Sequence, residues 1–321
     1  MCPLNLLSWI KQAICLNYKM QDWRKIKSFP VVENDSQFSY ASVPILIGKN
    51  EDMLIVSKRN SVGKSLPFLY QFNKSNLSIN LISSNPILEL GELGHFDEDG
   101  IMPVCSIVIN NDIYLYYIGW NKAVSTPFRN SIGLAISKDN GNTFYKPFKG
   151  PLLDRSIHDP CFVASCCVIK EGHIYKMWYL SCDSWSDIDG VISHKYNIKY
   201  AVSEDAINWV RNGKIAIDYF WENEYAISVP RVIIENGLYK MWYSYRGNGN
   251  IKTYRIGYAE SLNGLDWVRK DTEIELDVSE NNFDSEMLCY PFIFNINQKK
   301  YMLYNGNGYG KTGFGIAVLE N

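Results

Sequence analysis

A chain of 321 residues with 32 Lys and Arg against 34 Asp and Glu has a formal net charge of −2. No basic or acidic block disturbs that balance, which excludes nucleic acid and a charged membrane as the defining partner. Eight cysteines without a repeating spacing, two of them adjacent at Cys166 and Cys167 in an apolar run, fit reduced, buried thiols and a cytoplasmic compartment better than a disulfide framework.

Residues 1–21 stand apart from the rest of the sequence. Leu6-Leu-Ser-Trp-Ile10 is interrupted by Lys11 and Gln12, without a basic start or a small-residue cleavage site, so the segment predicts a short helical extension rather than a signal peptide, with a peripheral membrane contact as the alternative. No run approaches the ~18 apolar residues of an integral membrane segment.

From residue 22 to 321 one grammar recurs. A proline-containing strand is followed by a strand rich in Tyr, Trp and Met, then by a third reading Ile-Gly-Tyr-Ala, then by a fourth around a tryptophan. The third and fourth copies are nearly identical: Ile174-Tyr-Lys-Met-Trp-Tyr179 returns as Leu238-Tyr-Lys-Met-Trp-Tyr243. Looser copies hold Val43-Pro44 with Met53-Leu-Ile-Val-Ser57, Met102-Pro103 with Ile113-Tyr-Leu-Tyr-Tyr-Ile118, and Tyr290-Pro291 with Lys300-Tyr-Met-Leu-Tyr304. The prolines at 44, 103, 160, 230 and 291 lie 59, 57, 70 and 61 residues apart, too far for a solenoid rung and suited to a blade. The expectation is an all-β, five-bladed β-propeller with four antiparallel strands per blade, blades starting near residues 38, 97, 155, 224 and 285.

Ser137-Lys-Asp-Asn-Gly-Asn-Thr-Phe144 fits an Asp-box hairpin, with worn copies at Ser203–Trp209 and Ser261–Trp267. Asp139, Asp205 and Asp266 therefore belong to turns. Gly308-Tyr-Gly-Lys-Thr-Gly313 has no helix after it to hold a pyrophosphate. Histidines 95, 158, 173 and 194 form no i, i+4 pair, and no metal or cofactor is expected.

If successive strands are antiparallel, the starts of the first strands share a face with the second-to-third connections. That face holds Asp97, Asp99, Asp159, Glu224 and Glu286 before the prolines, and Trp120, Asn121, Trp185, Arg246 and Asn307 in the connections. Paired carboxylates are what glycosidic cleavage requires, one protonated to help the leaving oxygen depart and one ionised to activate water or to attack.

At these positions the chain resembles the five-bladed propeller glycosidases, the superfamily of arabinanases, xylosidases, invertases and related mannoside phosphorylases. In that group the first-strand motifs read Asp-Pro, Asp-Pro and Glu-x-Pro. Here His158-Asp159-Pro160 matches in form, while Val43, Met102, Val229 and Tyr290 precede the other prolines. The resemblance implies Asp159 as base or nucleophile, Glu286 or Glu224 as acid, and Asp97 or Asp99 as helper. Phe96-Asp-Glu-Asp-Gly100, Tyr117-Ile-Gly-Trp-Asn121, Pro127-Phe-Arg-Asn-Ser-Ile-Gly133 and Ser285-Glu-Met-Leu-Cys-Tyr-Pro291 are similar to a branch met beside surface-polysaccharide biosynthesis proteins, over about residues 22–321.

Each candidate has a structural alternative. Asp159 before a proline also suits a turn cap. Glu224 and Glu286 could pair with Arg129, Arg231 or Arg246, and those arginines could instead grip a substrate carboxylate or phosphate. His95 and His158 are hydrogen-bonders or proton carriers. Trp120 and Tyr290 could stack on a sugar ring, whereas Trp178 and Trp242 read as core. Three functions stay open: a glycoside hydrolase or glycosyl-transferring enzyme, a non-catalytic binder of a glycan or sugar nucleotide, and a scaffold.

Overall fold

The computed structural model describes residues 20–26, 37–188, 190–249 and 251–320. The helix expected over residues 1–21 falls largely outside them, and Gln21 already begins a strand, β1 (Gln21–Lys25). Short runs rich in Tyr, Ile, Val and Trp, separated by Gly, Asn and Asp, fold as strands throughout, because β-branched and aromatic side chains fit a pleated, packed surface.

The strands follow as antiparallel runs in chain order. They are β2 (Ser39–Ile47), β3 (Met53–Arg59), β4 (Ser65–Asn73) and β5 (Ser78–Leu81); β6 (Gly100–Ile109), β7 (Asp112–Asn121) and β8 (Arg129–Ser137); β9 (Phe162–Glu171), β10 (Ile174–Ile188), β11 (Val191–Ser203) and β12 (Val210–Ile217); β13 (Ala226–Glu235), β14 (Leu238–Arg246), β15 (Arg255–Ser261) and β16 (Val268–Arg269); then β17 (Ile274–Glu275), β18 (Cys289–Ile296), β19 (Lys299–Asn305) and β20 (Phe314–Leu319). Single parallel contacts, Ser65 with Gly100 and Tyr196 with Ala226, join neighbouring runs. Three sheets result, none closed on itself. β1 completes the last one, antiparallel to β20 and parallel to β17. Among the described residues no helix is long and apolar enough to cross a membrane.

Trp178 and Trp242 of the duplicated motif are buried in the core, as expected. The tyrosine that ends the motif has another partner. Tyr179 Oη donates to Asp159 at 3.1 Å, Tyr117 Oη to Asp97 at 3.0 Å, Tyr304 Oη to Asp284 at 3.1 Å, and Tyr243 Oη to Asp271 at 2.6 Å. A cation closes each pair: Arg211 on Asp159 at 2.8 Å, Lys146 on Asp97 at 2.6 Å, Lys25 on Asp284 at 2.7 Å, and Arg269 on Asp271 at 2.6 Å. Arg269 also grips Glu224 at 2.7 and 2.8 Å. A buried carboxylate is tolerable only when charge and hydrogen bonds satisfy it. Each latch therefore fixes a first-strand approach, a second strand and a closing segment together.

In three of the four latches a glycine of the third strand faces the tyrosine; the third latch has Lys199 there. Gly133, Gly257 and Gly315 lie directly across from Tyr117, Tyr243 and Tyr304, and a Cβ there would come within 2.2, 2.4 and 2.8 Å of those rings.

The recurring prolines mark bulges. Val43, Val229 and Tyr290, each just before one, have φ of 49, 47 and 59°, a strained region for these residue types. Their N–H groups leave the ladder and donate to a neighbouring run, Val43 to Asn305 Oδ1 at 2.8 Å, Val229 to Ser165 Oγ at 2.9 Å and Tyr290 to Ser244 Oγ at 2.7 Å.

Removing one partner of a buried ion pair costs about 3–5 kcal/mol, and an exposed pair contributes about 0–1 kcal/mol. Lys25→Met, which strands the fully buried Asp284, is expected to lower stability by about 3 kcal/mol in urea unfolding. Its neighbour Arg24→Met breaks an exposed pair with Glu320 and should change stability by less than about 1 kcal/mol. Equal losses would show that the latch does not hold the terminal strand.

Candidate functional site

Strand register defines one shared edge. Ser39 lies opposite Arg59, Gly100 opposite Trp120, Phe162 opposite Cys182, Ala226 opposite Arg246 and Cys289 opposite Asn305. The starts of β2, β6, β9, β13 and β18 thus sit with the second-to-third connections. The Asp-box hairpins lie at the opposite end, with Ser137, Ser203 and Ser261 paired to Ile113, Tyr175 and Tyr239. There Asp139 takes two hydrogen bonds from Thr143 at 2.6 and 2.9 Å, which hold its carboxyl below the usual range. Asp205 is lowered in the same way, chiefly by the N–H of Asn208.

The expected carboxylates divide into two kinds. Asp97, Asp159 and Glu224 are buried within latches, each facing the cation of its own run. Asp159 also accepts from Ser156 Oγ at 2.7 Å and lies 4.0 Å from Lys199; Glu224 accepts from the N–H of Phe220 at 2.6 Å. Asp99, buried at 8% exposed, and Glu286 lie outside the latches. Asp99 accepts from the N–H of Lys122 at 3.0 Å and sits 3.4 Å from Lys64 Nζ. Glu286 is exposed, and its carboxylate has no hydrogen bond or ion pair among the described residues. Asn307 Oδ1 holds that segment by accepting the N–H groups of Glu286 and Met287 at 2.8 and 3.1 Å.

The arginines named from sequence are placed differently from one another. Arg129 pairs with Asp154. Arg231 donates to the carbonyl of Ile293 at 3.0 and 3.2 Å and lies over Phe292, a contact between runs. Neither pairs with Glu224 or Glu286. The cations that do hold the buried acids, Lys25, Lys146, Arg211 and Arg269, are absent from the sequence reading, although a signal exists. Each stands two residues after an aromatic: Trp23-Arg-Lys25, Phe144-Tyr-Lys146, Trp209-Val-Arg211 and Trp267-Val-Arg269.

Arg246, at the end of β14, is 8% exposed and enclosed by aromatics. Its guanidinium lies 4.9, 4.6 and 6.0 Å from the rings of Tyr225, Tyr254 and Tyr309. Nη1 donates to Tyr309 Oη at 2.8 Å, and Nη2 lies 2.7 Å from His194 Nε2. Tyr290 stacks at 6.5 Å on Tyr309, and Tyr196 stacks at 4.5 Å on His194 and bonds Tyr254 through its hydroxyl. Burial, and then the charge of Arg246, push His194 down to about 4, so the imidazole is neutral and accepts. No Asp or Glu among the described residues pairs with Arg246, and its buried Nε has no partner. Sequence reasoning did not select His194, which belongs to the extended β10–β11 hairpin peculiar to this run.

The remaining candidates lie around this edge. Trp120 Nε1 donates to Ser65 Oγ at 3.2 Å, and its carbonyl accepts from the N–H of Asp99 at 3.1 Å. Asn121 ends the β7 ladder opposite Arg129. The His158 carbonyl accepts from Lys199 Nζ at 2.5 Å. His95, 3.9 Å from Glu92, lines a separate cavity of about 420 Å³ with Asp97, Lys146 and Phe148. The edge thus brings Arg246 together with Tyr290, and Asn307 with Glu286, while His95 and Arg231 lie elsewhere. Among the described residues no cluster of His, Cys, Asp and Glu could hold a metal ion.

Comparisons with known proteins agree on the fold. No family model matches the chain. It is 36% identical over 309 residues to the uncharacterized protein Rv1502 of Mycobacterium tuberculosis (strain ATCC 25618 / H37Rv), covering 93% of this chain and 99% of that one. A 1,2-beta-oligomannan phosphorylase of Thermoanaerobacter sp. (strain X514) is 35% identical over 106 residues, a third of each chain. Among solved structures, a glycoside hydrolase superposes with a TM-score of 0.71 at 13% identity, covering 98% of this chain and 95% of that one. A thermostable family-43 glycoside hydrolase gives 0.62 at 18% identity, covering 91% of each. The fold is that of the propeller-type glycoside hydrolases.

The cage fixes a pH dependence. An unfolded histidine titrates near 6.5 and the folded His194 at about 4, so between those values the unfolded state binds the extra proton. Stability should therefore fall as pH drops from about 6.5 to about 4, by at most about 3 kcal/mol. His194→Gln is expected to flatten that part of a pH series of urea unfolding curves; an unchanged slope would place the titration elsewhere.

Proposed function

The chain belongs to the family of the Mycobacterium tuberculosis protein Rv1502, and we propose that it is a carbohydrate-active enzyme on a five-bladed propeller. It cleaves or transfers a glycosyl group by paired carboxylate chemistry. The observation that carries this reading is the division of the acids. Asp97, Asp159, Glu224 and Asp284 are held in latches, whereas Asp99, buried beside Lys64, and the exposed Glu286 stand at the strand-start edge outside them. One of the two gives a proton to the leaving oxygen, and the other, ionised, activates water or attacks the anomeric carbon. Tyr290, Trp120 and Asn121 offer ring and polar contacts to the sugar. Asp159 and Glu224 hold the first strands in register. Likeness to propeller-type glycoside hydrolases supports the chemistry, and resemblance to proteins met beside surface-polysaccharide biosynthesis supports a surface polysaccharide or its precursor as substrate.

A second reading, a non-catalytic binder of a glycan or sugar nucleotide, is favoured by one observation. The approach to β2, Phe38-Ser-Tyr-Ala-Ser-Val-Pro44, offers no carboxylate, and the matching acid of the third run is enclosed.

Loss of a positioned acid or base costs about 10²–10⁴-fold in rate. On a panel of aryl glycosides and oligosaccharides, Asp99→Asn and Glu286→Gln should each lower kcat/KM by about 100-fold or more, with unfolding curves near wild type. Asp159→Asn should show its main effect in the unfolding curve. Unchanged turnover in both Asp99→Asn and Glu286→Gln would end the enzymatic reading. Calorimetric sugar binding by the wild type, without product on prolonged incubation, would establish the binder.

A further inference from the structure

Most buried charges in this protein have a counter-charge within their own run of strands. Arg269 has Asp271 and Glu224, Arg211 has Asp159, Lys146 has Asp97 and Lys25 has Asp284. Arg246 is as enclosed as these and has none among the described residues. Its hydrogen-bond partners are two neutral groups, the hydroxyl of Tyr309 and the imidazole of His194, and its walls are phenol rings. A buried ion without a counter-ion costs several kcal/mol, and such a cost persists in folded proteins where a ligand offsets it.

We infer that Arg246 receives a carboxylate carried by the sugar, so that the ligand of this edge is an acidic glycan containing uronic-acid residues. The inference rests on the proposal that the strand-start edge takes a sugar, and it names the chemical class. Three features select a carboxylate. A guanidinium has five N–H donors in a planar fork, of which two are engaged here, and the fork matches a carboxylate in two parallel bonds. The cage holds one positive charge, since His194 is neutral, and one carboxylate balances it, whereas a phosphate monoester carries nearly two charges at pH 7. Tyr309 Oη already accepts from Nη1 on the open side, where Tyr309 is 40% exposed, so a carboxylate oxygen can take its place. The aromatic rings Tyr290 and Tyr309 continue the wall outward and suit the face of a pyranose.

The test is titration calorimetry of the full chain at fixed ionic strength, with methyl glucuronide, methyl glucoside and glucose 6-phosphate as probes. The wild type is expected to bind the glucuronide at least tenfold more tightly than the glucoside, and Arg246→Met to reduce that preference below twofold. Because Arg246→Met empties a buried position, Tyr309→Phe provides a second arm at a half-exposed residue. It should shift the glucuronide affinity at least threefold more than the glucoside affinity. Absence of glucuronide binding, equal affinity for glucuronide and glucoside, tighter binding of the phosphate, or equal shifts of both glycosides in Tyr309→Phe would overturn the inference. The two proposals fail separately. A carboxylate preference without bond cleavage removes the enzyme and keeps this site; cleavage of neutral glycosides without the preference does the reverse.

Discussion

The structure depends on a carboxylate held between a tyrosine hydroxyl and a cation. Tyr117, Tyr179, Tyr243 and Tyr304 occupy the same place in successive second strands, and each meets an acid from a strand approach or closing segment and a base two residues after an aromatic. Because an unpaired ion inside the protein is so costly, the three parts must arrive together. The arrangement is therefore an all-or-none clamp on three segments far apart in sequence. In the last run the base, Lys25, is supplied by β1, so the same interaction ties the beginning of the described fold to its end. Trp23 packs there beside Trp242, and Trp242 Nε1 shares Gln21 with it.

Once the clamps have consumed their acids and bases, few charges remain for chemistry. Among the candidate carboxylates before the prolines, Asp99, paired with Lys64, and the exposed Glu286 are outside the clamps, as is Arg246 among the enclosed cations. All three belong to the edge where the first strands start, and the strained residues Val43, Val229 and Tyr290 lie one to four residues into those strands. Their N–H groups bond across to neighbouring runs, so the strain is held by contacts between runs and the edge is rigid. A rigid edge carrying uncommitted charge is what a ligand site requires.

The strand pattern is legible in the sequence because it needs only local chemistry. Period, β-branched and aromatic content and the Asp-box turns can all be read within a few residues of one another, and the duplicated Tyr-Lys-Met-Trp-Tyr aligns the copies well enough to find the shared edge. The latches are half legible: their acids stand out, but the repetition that unites them does not. From sequence Asp159 reads as base or nucleophile and Asp97 as helper, because the cations that pair with them, Arg211 and Lys146, lie in distant segments. The aromatic-x-base pattern that contains those bases is visible once it is sought. Arg246 stands out by its place in a connection, but its lack of a counter-charge is a property of the assembled cage. His194 is beyond reach because it enters through a hairpin that one run alone extends.

Asp159 is the acid whose Asp-Pro context matches the resembling family, and with Asp284 it is also fully enclosed. The third run has Lys199 where the three other latched runs have glycine, so Tyr179 faces a long cation across the ladder instead of a glycine. Lys199 Nζ bonds the carbonyl of His158 and the carboxylate of Asp183, and lies 4.0 Å from Asp159. With Arg211 at 2.8 Å, Ser156 and Tyr179, the Asp159 carboxylate meets two cations and two hydroxyls and has no exposed surface. A proton carrier must exchange with substrate, and a nucleophile must touch it. Glu286, exposed and without a side-chain partner among the described residues, meets those requirements more directly than the enclosed Asp159.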